Sequence, residues 1–531
     1  AARDLDALRF RADTEINQAI RGVAEDTGVP LLDAAQRFLD GTEEIPELPG
    51  YRLFHEHVHF NFAGNYALAS AAHQHLASRL DSAPSANPRA QLTQQQVAER
   101  LAFTRFDELE LERDILRLVS RPPFTDDPAQ DADVARRWQH LAELEAGLDA
   151  ASWSQTEKLY LQRLDTHPLD LETRRRFAGL LQARQPEASI SHWRFLLDRI
   201  PHHGRWRTSL ALALADSGQT EAALAELRTV EQRQGVSADS LVNRGTVLET
   251  SGDDKAAEAT YRRAVELDPR HTLARFNLAT AALRRGACDE AIRRYRQLLE
   301  READFAPAHH NLGRCHERQG ELEAATLAYR DAIRADPGFA SAYNSLGLAL
   351  EQQGEEAAAL AAYRNAVAYR QEFALAHFNL ADLLWSQGKH AEAANAYERG
   401  LSYRPDNPQA RYNRAGALMA AGDEVEAAAE LAKVVDQRGE PGELHNLAWI
   451  LATSERPELR DPQRAVELAE RAARATRRQS AEILETLAAA YGAAGRRDDA
   501  TATLHSAASL ARAQGRHGLA NRLERRLRGR R

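Results

Sequence analysis

Small residues return every 34 positions along most of this chain, at Ala211, Gly245, Ala279, Gly313, Gly347, Ala381 and Ala415. A fixed internal period of this size restricts a chain to stacked repeats, propellers or similar arrays. Other positions keep the same register. A Gly follows each small residue by seven, at Gly218, Gly252, Gly286, Gly320, Gly354, Gly388 and Gly422. Five further on stand Ala223, Ala257, Ala291, Ala325, Ala359, Ala393 and Ala427. Four beyond those come Leu227, Tyr261, Tyr295, Tyr329, Tyr363, Tyr397 and Leu431. Pro201, Pro269, Pro337 and Pro405 close several of the units.

Each position has a physical reason. The first small residue lies mid-helix, where a second helix must come close. The Gly ends that helix, because a left-handed cap suits Gly best. The Ala marks the second close crossing, and the Tyr or Leu fills space between neighbouring helices. The Pro cannot continue a helix and marks the break to the next unit. Each unit is therefore a helix–turn–helix hairpin that buries its apolar face only by stacking on its neighbours. A composition with 43% hydrophobic but only 6% aromatic residues, rich in Ala, Leu, Arg and Glu, agrees with helices over strands.

The spacing of Leu312–Gly313, Gly320, Ala325, Tyr329, Ala332 and Pro337 resembles the tetratricopeptide repeat. The resemblance implies a mainly all-α fold, an α-α superhelix whose business is holding other polypeptides. The repeats are expected over 136–515, the first two degenerate and closed by Pro168 and Pro201. An insertion is expected near 453–461, since Ala448 and Ala465 lie 17 apart where regular units have 12. There Asp461–Pro462 reads as an N-cap and first-turn Pro that restart the helix. Residues 516–531 read as a capping helix with an Arg-rich tail, its stripe of Leu519, Leu523 and Leu527 facing inward.

With the first small residue counted as position eight, position six carries Asn243, Asn277, Asn311, Asn379, Asn413 and Asn446, and Ser345 interrupts the series. Helical geometry puts position six on one face with positions two, five and nine, away from the packed positions seven, eight and eleven. These Asn either bond neighbouring helices or present a row of amides to an inner groove. An amide offers both donors and an acceptor, which matches a peptide backbone. The row resembles the asparagine ladder in the repeats of O-linked N-acetylglucosamine transferase. That likeness implies peptide binding, with Phe276, Phe378 and Tyr412 at position five adding apolar contact. The family members that bind carboxylate tails use a basic clamp. Position nine here reads Thr246, Thr280, Arg314, Leu348, Asp382 and Gly416, so that partner class is disfavoured.

Residues 1–80 leave the repeat. A helix over 3–26, a short strand at 29–34, a His-bearing loop and a closing helix read as the end of a small α/β domain. The stretch from Leu53 to Asn65 resembles the last block of SGNH/GDSL hydrolases. That resemblance makes His59 a catalytic base and Glu56 its orienting acid, with Glu in place of the usual Asp. The nucleophile block lies upstream in that family and is absent here, and a His without its nucleophile performs no acyl transfer. A metal site on His55, His57 and His59, or an ordinary solvated loop, are the other readings. Residues 81–135 read as a linker with connecting helices.

A net charge of −9, spread along the chain, argues against nucleic acid as a partner. No apolar run is long enough to span a membrane. Cys288 and Cys315, the only cysteines, have no metal-binding spacing, so neither a metal nor a cofactor is expected. The chain begins at Ala1, so it reads as processed or as a fragment, and its compartment stays open. The expected function is a protein- or peptide-binding scaffold; the alternative is a piece of an SGNH-type esterase with a repeat tail.

Overall fold

The computed structural model describes residues 93–119 and 150–528, together with isolated positions at 23–24 and between 134 and 148. The α/β remnant expected over 1–80, with its strand at 29–34, lies outside the described residues. The chain divides into two compact units, one ending at His271 and the other beginning at Thr272.

The first unit contains helices α1 (Gln94–Arg100), α2 (Arg105–Val119), α3 (Ala150–Thr166), α4 (Leu171–Arg184), α5 (Pro186–Arg199), α6 (Gly204–Asp216), α7 (Thr220–Gln234), α8 (Ala238–Thr250) and α9 (Asp254–Leu267). The second contains α10 (Thr272–Arg284), α11 (Cys288–Leu299), α12 (Ala306–Arg318), α13 (Leu322–Ala335), α14 (Ala340–Gln352), α15 (Glu356–Tyr369), α16 (Ala374–Ser386) and α17 (His390–Tyr403). It continues with α18 (Pro408–Ala421), α19 (Glu424–Gln437), α20 (Pro441–Thr453), α21 (Pro462–Ala475), α22 (Ala481–Ala493), α23 (Arg497–Ala513) and α24 (His517–Arg528). The described residues form helices, turns and loops, with no strand.

Each repeat is one hairpin. The Gly that closes its first helix takes a φ between +73° and +88°, from Gly388 to Gly422, a conformation that costs any side-chain-bearing residue strain. The Ala at the second crossing is fully buried, as at Ala291 and Ala325. So is the Tyr beside it, as at Tyr295, Tyr329 and Tyr363. Small against large is how two helices fill the space between their axes without voids.

Within each unit, second helices pack on the first helix of their own hairpin and on that of the next. Where equivalent helices of successive hairpins meet closely, they are first helices: α6 with α8, α10 with α12, α12 with α14, and α20 with α22. A stack that closes up along its first helices curves toward them, so within each unit the first helices line the inner face.

The longer connection between α20 and α21 holds a 3-10 turn, Pro457–Leu459. Asp461 then caps α21 by accepting from the Arg464 backbone N–H. Beyond this insertion α20 and α22 pack directly together, and α22 is buried almost all round, including Glu485, Thr486 and Ala489 at positions five, six and nine. α24 follows, with Leu519 and Leu523 buried and Leu527 packed on the core. Its Arg526 pairs with Glu485 at 2.7 Å. The inner face of the second unit is thus open along α10 to α20 and covered at α22. No described helix is long and apolar enough to cross a membrane.

Candidate functional site: the inner face of the first helices

The Asn at position six take different environments. Asn311 is buried, and its amide nitrogen donates to the Tyr295 hydroxyl at 3.1 Å. Asn379 is half-buried and donates to the Asn344 side-chain oxygen on the preceding first helix at 2.9 Å. Asn446 is half-buried and donates to the Tyr412 hydroxyl at 2.9 Å. Asn413, also half-buried, accepts from Gln409 at 2.9 Å. Asn277, and Asn243 in the first unit, are half-buried.

An amide carries two N–H donors and an oxygen with two lone pairs, so one bond leaves most of that capacity unused. Among the described residues no Asn amide atom is both buried and without a partner. The amide atoms of Asn277, Asn379, Asn413 and Asn446 that make no bond are therefore reached by water.

The three aromatic residues at position five differ too. Phe276 is half-buried and meets Phe305 edge-on, with centroids 5.3 Å apart. Tyr412 is half-buried under the Asn446 bond. Phe378 is buried, because its ring lies over Gly400, where a Cβ would collide with it. Preceding repeats carry Ala332 and Ala366 at that place, so the loss of one methyl makes room for the ring.

What decides whether a tyrosine reaches this face is position eight. A Cβ on Gly313 would come within 2.5 Å of the Tyr329 ring, and one on Gly347 equally close to Tyr363. With Gly there, the ring settles onto the backbone and its hydroxyl donates to the acid at position twelve: Tyr329 to Glu317 at 2.6 Å, Tyr363 to Glu351 at 2.8 Å, and Tyr261 over Gly245 to Glu249 at 2.8 Å. With Ala279 or Ala381, the hydroxyl instead meets position nine, Thr280 at 2.9 Å for Tyr295 and Asp382 for Tyr397. In those repeats position twelve is Leu283 and Trp385 rather than an acid. Burial raises Tyr295, Tyr329, Tyr363 and Tyr397, and the carboxylate neighbours of Tyr329 and Tyr363 add to it. Tyr295, which has only neutral hydrogen-bonding partners, is pushed up to about 12.

Sequence reasoning missed a hollow of about 720 Å³ toward the covered end of the face, whose lining includes Gly416, Met419, His445, Asn446, Trp449 and Glu485. Trp385, 40% exposed, stands over its Gly416 edge. The signal was present: position nine loses its side chain only at Gly416 among the regular repeats of this unit, and Trp occupies positions twelve and nine on either side of it. A hollow of about 840 Å³ in the first unit is lined by Arg175, Trp193, His203, Trp206 and Ser209, among others.

The family model for the tetratricopeptide repeat matches residues 178–235, 208–272, 276–338, 327–373, 344–400 and 378–441. Residues 178–441 are a run of tetratricopeptide repeats. Among solved structures, MamA is 26% identical over 30% of this chain and 94% of its own, with a TM-score of 0.29. A thermophilic tetratricopeptide-repeat protein of Thermus thermophilus is 25% identical over 34% of this chain and all of its own, with a TM-score of 0.30. PilF of Pseudomonas aeruginosa is 20% identical over 39% and 94%, with a TM-score of 0.36. No curated protein matches the chain. Tetratricopeptide repeats generally bind protein partners, and this run supports a protein-interaction scaffold. The hydrolase-like pair Glu56 and His59, and His55 and His57 beside them, lie outside the described residues.

Proposed function

We propose that the inner face of the second unit holds an extended polypeptide segment, gripped through its backbone by Asn277, Asn379, Asn413 and Asn446. The observation that carries this reading is that these four half-buried amides occupy one repeat position and keep unused donors and acceptors open to water. Each amide–peptide bond contributes about 0.5–1.5 kcal/mol net, too little singly but enough when several act on one chain. Asn311 belongs to the packing of Tyr295 in this scheme and Phe378 to the packing of Gly400. Side-chain preference comes from Phe276 and Tyr412 and from the hollow at Gly416, where Trp385, Met419 and Trp449 favour a bulky apolar residue.

The test is selection of peptides from a random displayed library against the folded chain, followed by photo-crosslinking of a selected peptide. Crosslinks on α10 to α20 at positions two, five, six and nine support the reading. Crosslinks confined to second helices contradict it.

A further inference from the structure

We propose that Cys288 and Cys315 form a thiol–disulfide exchange site whose substrates are low-molecular-weight disulfides. They are the only two cysteines of the chain, 27 positions apart, and the stacking of α11 on α12 brings them together. Cys315 is fully buried within the apolar cluster of Ala291, Ile292, Leu298 and Ala308, and Cys288 packs against that cluster from its edge. Both thiols thus belong to one packed cluster. Cys288, half-buried at the first residue of α11, borders a surface hollow of about 530 Å³ lined also by Gly286, Asp289, Arg293 and Arg318.

The repeat supplies its own comparison. At the position of Cys315 other first helices carry Val247, Ala281, Ala349, Leu383 and Ala417, so an apolar residue without sulfur suffices for packing there. At the position of Cys288 other second helices carry Asp254, Leu322, Glu356, His390 and Glu424, so packing does not call for a thiol there at all. Only this pair of adjoining positions holds sulfur on both sides.

The difference in exposure sets the order of events. Cys288, deprotonated, attacks one sulfur of the small disulfide. That S–S bond breaks, one small thiolate leaves and takes up a proton, and a mixed disulfide remains on Cys288. Cys315 then loses its proton, attacks the Cys288 sulfur and expels the second small thiol. Two protein thiols are oxidised by two electrons, one small disulfide is reduced to two thiols, and the protons of the protein thiols end on the leaving groups. Burial, and after it the neighbouring Cys288, push the Cys315 thiol up to about 12, which keeps it protonated and unreactive until the mixed disulfide forms beside it. The product ties α11 to α12 across two repeats.

The experiment incubates the reduced full chain with glutathione disulfide and follows intact mass and non-reduced peptide maps. The expected product is lighter by two hydrogens, joins the peptides of Cys288 and Cys315, melts at a higher temperature than the reduced chain and reverts with dithiothreitol. Cys315→Ala, folded by circular dichroism, should stop at one glutathione adduct on Cys288, and Cys288→Ala should not react while folded. Three outcomes in the wild-type chain overturn the proposal: a stable glutathione adduct, a disulfide to a second copy, or no reaction under conditions that oxidise a short cysteine peptide. The wild-type product mass decides the matter even if a variant misfolds.

Discussion

The hairpins α12–α13 and α14–α15 carry Gly at position eight, and α10–α11 and α16–α17 carry Ala; that one methyl sorts the second unit into two kinds of repeat. In the Gly kind the tyrosine ring lies flat on the first helix and its hydroxyl ends on Glu317 or Glu351. In the Ala kind the ring is held off, and the hydroxyl meets position nine. That of Tyr295 also accepts from Asn311, the Asn of the following repeat. An Asn that follows a Gly repeat is released from that duty: Asn379 reaches back to Asn344 instead. A substitution in the core thus determines which amides of the inner face are drawn into packing. Repeats that look interchangeable by spacing are not interchangeable in chemistry.

The comparison is broken most severely by adding the missing methyl. Gly313→Ala and Gly347→Ala should each cost about 1–3 kcal/mol by overpacking. For a unit of this size that lowers the melting temperature by about 2–4 °C per kcal/mol. The converse, Ala279→Gly with Leu283→Glu, should let Tyr295 turn to the new carboxylate, visible in a structure of the variant. Melting of both Gly→Ala variants at the wild-type temperature would mean that the ring does not need the glycine.

Acid separates the two kinds next. Position five is Phe276 in one hairpin and His310 in the other. Burial, with Arg314 nearby, depresses His310 to about 4. A depressed His favours the folded chain above its unfolded value of about 6.5, and the contribution is lost as pH falls from there through 4. For this residue the loss is on the order of 1–2 kcal/mol between pH 7 and pH 5. Chemical denaturation across that range should show the slope, and His310→Phe should flatten it. An identical slope in the variant would place the acid sensitivity elsewhere.

The smallest effects sharpen the comparison among the amides themselves. Asn311→Ala should cost about 0.5–1.5 kcal/mol, because it removes a buried donor from Tyr295. Asn277→Ala and Asn379→Ala should stay within about 0.5 kcal/mol of the wild-type chain in urea unfolding. Equal losses at all three would erase the distinction between packing and exposed Asn.

Much of this was legible in the sequence. The period of 34 places the hairpins, the positive-φ glycines and the buried Ala and Tyr, because those positions answer to backbone geometry and close packing. The restart at Asp461–Pro462 was legible for the same reason. The division of the Asn was not, since it depends on where a neighbouring tyrosine points. That direction was itself written as Gly with Glu four later against Ala with Leu283, Trp385 or Met419, but only a view of the ring over Gly313 gives the pairing meaning. The burial of Phe378 turned on Gly400, more than twenty residues away in sequence, which spacing within one helix does not reveal. The hollow at Gly416 needed three successive first helices to be seen side by side.

The most direct test of the inner face as a peptide-holding surface is calorimetric titration of a library-selected peptide into the wild-type chain and into a variant combining Asn277→Ala, Asn379→Ala and Asn413→Ala. The variant should unfold like the wild type and bind at least about tenfold more weakly, the loss expected from several amide bonds of modest strength. Unchanged affinity in a variant that remains folded would contradict the account.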